Sequence, residues 1–287
     1  MSKRIMEIAV SAVHKGTTIR RAADHRPRPG VPILMYHQVA PLAPAAFGKY
    51  SVTPRAFAAQ MRWLAMAGYT PVDLDALLSH RGSGAPLPRR PIVITFDDGF
   101  QECADHAAPI LQSFGFTATF YLVAGLMGQP SRWLLGERGV EFPLMDWNTA
   151  RKLYSAGFTC GAHTVTHPRL AQLPAAACRE ELRRSREMIE ERLGCEVAHL
   201  AYPFGSYDER VREIAAETGY RSACSVQIGI SASDDDPLAL HRVPVSGYDT
   251  LTDFICRLRT ARPAGELLRG KARGAWRHVR RLAGRAA

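Results

Sequence analysis

Two short stretches carry residues able to do chemistry together. In the first, Ile92 to Phe96 run into Asp97, Asp98 and Gly99. Two carboxylates side by side at the end of an apolar run repel each other unless a cation or a shared proton relieves them. Asp-Gly is also ordinary turn chemistry, so the pair alone does not choose between a solvated turn and a site. In the second, Phe158 to Ala162 run into His163 and His167, four positions apart. One carboxylate and two imidazoles make three ligands with a position left open, the arrangement of a hydrolytic metal centre. Pro168 follows His167 directly, which argues against a continuous helix and brings the rings together from a turn. Zinc suits two nitrogens and one oxygen, and Co2+ or Ni2+ would accept the same ligands.

The elements that must position these groups are legible around them. Ile92 to Phe96 are mostly β-branched or aromatic and read as a strand buried on both faces. Thr53-Pro54 open a helix as N-cap and first position, with Phe57, Met61 and Leu64 on one face and Gly68 at its end. Helices are also predicted over 74–78, 102–114, 148–156 with Asn148 as cap, 174–193, 208–218 and 250–260. Strands are predicted over 31–37, 69–72, 117–123, 158–162, 197–202, 220–226 and 240–245. The stretch 124–145, with Trp133 in it, reads as a long irregular loop, and loops of that length are usually functional or mobile. Strands alternating with helices imply a parallel sheet with right-handed crossovers. There is no glycine-rich phosphate loop, and the chemistry sits at strand ends, so a (β/α) barrel is favoured over a doubly wound sheet.

The 287 residues are 46% hydrophobic, enough for one sizeable core. The net charge of +10 is uneven. Residues 1–30 carry about +5 and 262–287 about +7, leaving the body 31–261 near −2. The basicity therefore belongs to the ends and argues against nucleic-acid binding by the body. The six cysteines show no paired metal or redox spacing; Cys160, three before His163, has no second thiol near it and reads as structural. Glu7 interrupts the apolar run after Lys3-Arg4, and no small-residue cleavage site follows, so a cytoplasmic location is expected. In the tail, Leu268, Ala272, Ala275, Val279 and Leu282 recur at helical spacing, with Arg269, Arg273, Arg277, Arg281 and Arg285 on the other side. Such a helix suits peripheral contact with an anionic membrane, here its inner face.

Thr95-Phe96-Asp97-Asp98-Gly99 and His163-Thr164-Val165-Thr166-His167 resemble the first two motifs of the polysaccharide deacetylases, the NodB homology domain of carbohydrate esterase family 4. Leu34-Met35-Tyr36-His37 resembles the start of the exopolysaccharide branch, and the likeness covers about residues 31–260. The resemblance implies a distorted barrel of about seven parallel strands. It also implies removal of N-acetyl groups from amino sugars of a polysaccharide or a lipid-linked glycan precursor. In that reading Asp98, His163 and His167 hold the metal and Asp97 is the general base, a split that the residues alone do not make. The backbone N–H of Phe204 joins the metal at the oxyanion. The third motif appears as Ala201-Tyr202-Pro203-Phe204-Gly205 without its arginine, and Arg242 is the candidate replacement beside Asp97. Leu238-Ala239-Leu240-His241 loosely matches the last motif, which makes His241 the candidate general acid. Tyr36, His37, Trp147 and Tyr202 are candidates to line a sugar groove. A deformylase or other amide hydrolase on the same scaffold is the alternative; a non-catalytic glycan-binding relic is disfavoured by the intact Asp-Asp and His-His sets.

Overall fold

The computed structural model describes residues 30–266. The leader up to residue 29 and the amphipathic tail pattern from 267 onward lie outside the described residues, so the reading of both ends stays with the sequence. Seven strands close a parallel barrel: β1 (Ile33–Tyr36), β2 (Pro91–Phe96), β3 (Thr119–Leu122), β4 (Thr159–Ala162), β5 (His199–Ala201), β6 (Ser222–Ile228) and β7 (Leu240–Pro244). Their order round the barrel is β1-β7-β6-β5-β4-β3-β2, and β2 pairs back onto β1 from Ile33↔Val93 to Tyr36↔Phe96. A two-residue strand, Thr70–Pro71, pairs with the start of β2 at Pro91 and Ile92.

Helices cover the outside. They are α1 (Pro54–Met66), α2 (Leu74–Ser83), α3 (Ala108–Ser113), α4 (Arg132–Arg138), α5 (Trp147–Ser155), α6 (Ala175–Leu193), α7 (Glu209–Glu217) and α8 (Leu251–Thr260). Their ends follow local chemistry. The Thr53 side chain accepts from Ala56 N–H, Asp208 from Val211 N–H, and Thr250 with Asp253 forms a reciprocal capping box. Asp146 caps α5 by accepting from Thr149 N–H, not Asn148, whose side chain instead accepts from Arg151. The segment predicted as irregular contains α4 and a 3-10 turn, Ala124–Leu126, and α2 runs on to Ser83 before Gly84 ends it with φ 73°. None of the described helices is long and apolar enough to cross a membrane.

Strand alternation divides the core. Leu34, Tyr36, Ile94, Phe96 and Phe120 face outward and pack under the helices, with Phe96 and Phe120 stacked at 4.8 Å. Ile33, Val93, Tyr121, Cys224 and Leu240 fill the barrel interior. Gly161 on β4 lets the Tyr121 ring cross that interior, since a Cβ there would lie 2.6 Å from ring carbons. The same alternation, continued past the strand ends, decides which polar side chains reach the carboxyl-terminal mouth of the barrel.

Candidate metal centre and active site

Asp97 and Asp98 follow β2, His163 follows β4, and His167 lies four residues further on. Asp98 adopts φ 72°, Thr164 67° and His167 64°. Left-handed backbone at non-glycine residues costs on the order of 1–3 kcal/mol each and clusters where surroundings hold it for function. The reversal at Asp98 turns its carboxylate toward the histidines while Asp97 keeps the inward direction set by Thr95. Asp98 Oδ1 then lies 3.3 Å from His163 Nε2 and 3.1 Å from His167 Nε2, and all three residues are buried.

The donor set suits a divalent metal. His163 Nδ1 sits 2.7 Å from the Ala201 carbonyl, so that nitrogen carries a proton and donates, and Nε2 is the nitrogen turned toward Asp98. The three ligand atoms lie within 4.8 Å of one another, the single such group among the described residues. Burial pushes the Asp98 carboxyl up, but hydrogen bonds to the two histidines outweigh it and hold the group well below the usual carboxylate range. Burial lowers His167, with Asp98 opposing. Trp133 stacks on the His167 ring at 4.2 Å and Phe204 meets it edge-on at 4.6 Å, fixing its plane.

Asp97 is held differently. Arg242, fully buried, donates from both terminal nitrogens to the two Asp97 oxygens at 2.7 Å each. Its Nε donates to the Ser225 carbonyl at 2.8 Å, and one terminal nitrogen also donates to Thr95 Oγ1 at 3.2 Å. Burial raises the Asp97 carboxyl, yet the guanidinium charge and its hydrogen bonds win, and the net direction is down. Each carboxylate oxygen has a second lone pair, so the pairing leaves Asp97 able to accept a proton.

The remaining candidates separate by strand parity. Arg242 points into the barrel, so its neighbour His241 points out, and His241 is bonded to Asp235 at 2.9 Å away from the cleft. This corrects the expectation of His241 as general acid. Tyr36 is likewise corrected: it lies on the outer face of β1, fully buried, its hydroxyl donating to Gln60 at 2.9 Å. Trp147 begins α5 beside Arg192 at 5.9 Å and does not line the cleft. Tyr202 reaches the cleft wall, but one ring face is stacked on Tyr207 at 4.7 Å and its hydroxyl donates to the Leu238 carbonyl. His37 does face the cleft, where burial lowers its pKa and the two aspartates oppose that. Phe204 has φ 57° in the turn after β5 and lines the same cleft. Trp133, noted in sequence only as part of the long loop 124–145, also lines it, as do Tyr50, Lys49, Arg138 and Arg169, which were not singled out; their signal was position in the loops after β1, β3 and β4.

The cleft encloses about 630 Å³ at the carboxyl ends of the strands, where barrels of this kind place their chemistry. Residues 84–223 match the profile of the family described as polysaccharide deacetylase. The chain carries a domain of the polysaccharide deacetylase family. Relatives of this deacetylase domain include the Bacillus subtilis protein YxkH, an inferred polysaccharide deacetylase. It is 26% identical over 219 residues, covering 75% of this chain and 71% of the relative. The Escherichia coli K12 poly-beta-1,6-N-acetyl-D-glucosamine N-deacetylase is 39% identical over 82 residues, 28% of this chain and 12% of that protein. In fold, the chain superposes on the Streptococcus pyogenes deacetylase PplD with TM-score 0.70 at 21% identity, covering 81% of this chain and 99% of that one.

Proposed function

We propose that this deacetylase domain hydrolyses N-acetyl groups on amino sugars of a polysaccharide or a lipid-linked glycan precursor, with a divalent metal, by preference zinc, held by Asp98, His163 and His167. The observation that carries the reading is the juxtaposition of a three-ligand set with a second aspartate that Arg242 keeps ionised, both in one cleft. The family match and the name of the Escherichia coli relative support an acetamido sugar as substrate.

The metal would supply Lewis-acid activation of water and of the acetamide carbonyl. Asp97 takes the proton from the attacking water. The backbone N–H of Phe204 accompanies the developing oxyanion. The departing nitrogen needs a proton, and His37 delivers it: it is the one cleft imidazole outside the ligand set among the described residues. His37→Ala is therefore expected to slow amide hydrolysis about a hundredfold or more, and activated esters far less, because their leaving groups need no protonation. His241→Ala, removing a side chain outside the cleft, is expected to leave both rates within about twofold. The reverse pattern in these two variants would return the acid to His241.

The metal assignment is tested with His163→Ala. Loss of one of three ligands is expected to strip most of the metal measured in the purified protein, and acetate release with it. Full metal content in that variant would overturn the ligand set. Membrane contact through residues 262–287 belongs to the same proposal, supported by the basic amphipathic pattern of that segment.

A further inference from the structure

The charged groups of the cleft divide into those that are matched and those that are not. Asp97 is matched by Arg242, and Arg257 by Asp249 at 2.7 and 3.0 Å. Arg169 lies over the Phe204 ring at 4.0 Å and donates to Glu137 at 2.8 Å. Around Tyr50 the balance fails. Arg138 lies over the Tyr50 ring at 4.5 Å and donates to the Tyr50 hydroxyl at 2.8 Å and to the Ala46 carbonyl at 3.4 Å. Lys49 sits at 5.6 Å from the same ring. Neither cation pairs with a carboxylate among the described residues, and both line the cleft. Glu266 is the one lining carboxylate outside the Asp97 and Asp98 sets, so the Tyr50 wall holds two cations without a carboxylate partner among the described residues, in a body that is near neutral.

This wall is close to the chemistry. The Tyr50 ring meets His37 edge-on at 5.1 Å, so a single aromatic ring separates the two cations from the imidazole facing the aspartates. Tyr50 holds Arg138 by its face and by its hydroxyl together, which keeps the guanidinium in one place with donors to spare. A planar fork and a mobile ammonium side by side suit an oxyanion, the fork fixing direction and the ammonium adding charge.

We propose that the Tyr50 wall is a subsite for an anionic group, a carboxylate or a phosphate, carried by the glycan beside the acetamide to be cleaved. The inference rests on the deacetylase reading and narrows its substrate class from neutral to anionic amino-sugar glycans.

The test compares acetate release by the metal-loaded protein from three oligomers of N-acetylglucosamine: neutral, carrying one carboxylate substituent, and carrying one phosphate ester. The anionic oligomers should be preferred in kcat/KM by about tenfold at low salt, as charge-assisted hydrogen bonds of this kind warrant. The preference should shrink with added salt. Which anionic arm is favoured distinguishes carboxylate from phosphate. The ratio of anionic to neutral substrate should fall toward one in Lys49→Gln/Arg138→Gln and invert in Arg138→Glu. Both residues are exposed, and the ratio cancels any general loss. A wild-type ratio near one, or a ratio untouched by those substitutions, overturns the subsite while leaving the deacetylase reading standing. No acetate from any of the three oligomers overturns that reading and this inference with it.

Discussion

Asp97→Asn is expected to lower acetate release by about a hundred- to ten-thousand-fold, because an amide cannot take the proton of the attacking water. Metal content should stay near that of the wild type, since the ligand atoms belong to Asp98, His163 and His167. The substitution also leaves Arg242 buried without its carboxylate, a loss that costs about 3–5 kcal/mol when one partner of a buried pair is removed. Activity must therefore be read on protein shown by thermal melting to be folded at the assay temperature. Near-wild-type turnover by folded, metal-bearing Asp97→Asn would move the base elsewhere.

Arg242→Leu breaks the same pair from the other side and is expected to cost stability to a similar degree. It leaves the Asp97 carboxylate buried, and the cost is again about 3–5 kcal/mol near neutral pH. The pH dependence follows from the direction of the shift. In the wild type the folded-state pKa of Asp97 is depressed, so its stabilisation is fully present above the unfolded carboxyl value of about 3.9 and is lost as pH falls through the depressed one. Without the guanidinium, burial is the dominant influence and the folded pKa rises above the unfolded value. The variant's deficit should then grow as pH rises through that raised value and shrink toward pH about 4. The acid limb of kcat/KM should move to higher pH for the same reason. Melting curves for both proteins at neutral and acid pH, with a pH–rate profile, check this. A deficit independent of pH would mean that Arg242 acts through packing rather than through the charge of Asp97.

The parts of the site carried by local motifs were legible from sequence because adjacency survives folding. Asp97 and Asp98 lie at one strand end wherever that strand goes, and His163 and His167 lie four apart on one turn. The alternation of apolar runs with helical periods was enough for a parallel barrel, and the likeness of those motifs to the deacetylases supplied the count of seven strands. The placement of single residues depended on parity, which a motif does not display. Met35 and His37 point to the cleft and Tyr36 between them to α1; Arg242 points inward and His241 outward. Once the replacement of the missing arginine by Arg242 is accepted, the outward direction of His241 follows, so the two roles could not both be met by neighbours on one strand. The left-handed backbone at Asp98, Thr164 and His167 had no sequence signal, because these residue types reach it only when the surroundings hold them there. The Tyr50 wall was illegible for a further reason: Lys49, Tyr50 and Arg138 come from segments some ninety residues apart and meet only through tertiary packing.

The central claim, metal-dependent hydrolysis of an acetamide by the Asp97 and Asp98–His163–His167 sets, is tested most directly in water enriched in oxygen-18. Metal-loaded protein is incubated with N-acetylated glucosamine oligomers, and acetate, free amine and isotope content are measured together. Acetate and amine should appear in equal amounts, each acetate carrying one solvent oxygen, and the release should be lost in His163→Ala along with the metal. Folded, metal-loaded protein that frees no acetate from neutral or anionic oligomers, or a metal-free His163→Ala that frees it at the wild-type rate, would contradict the account.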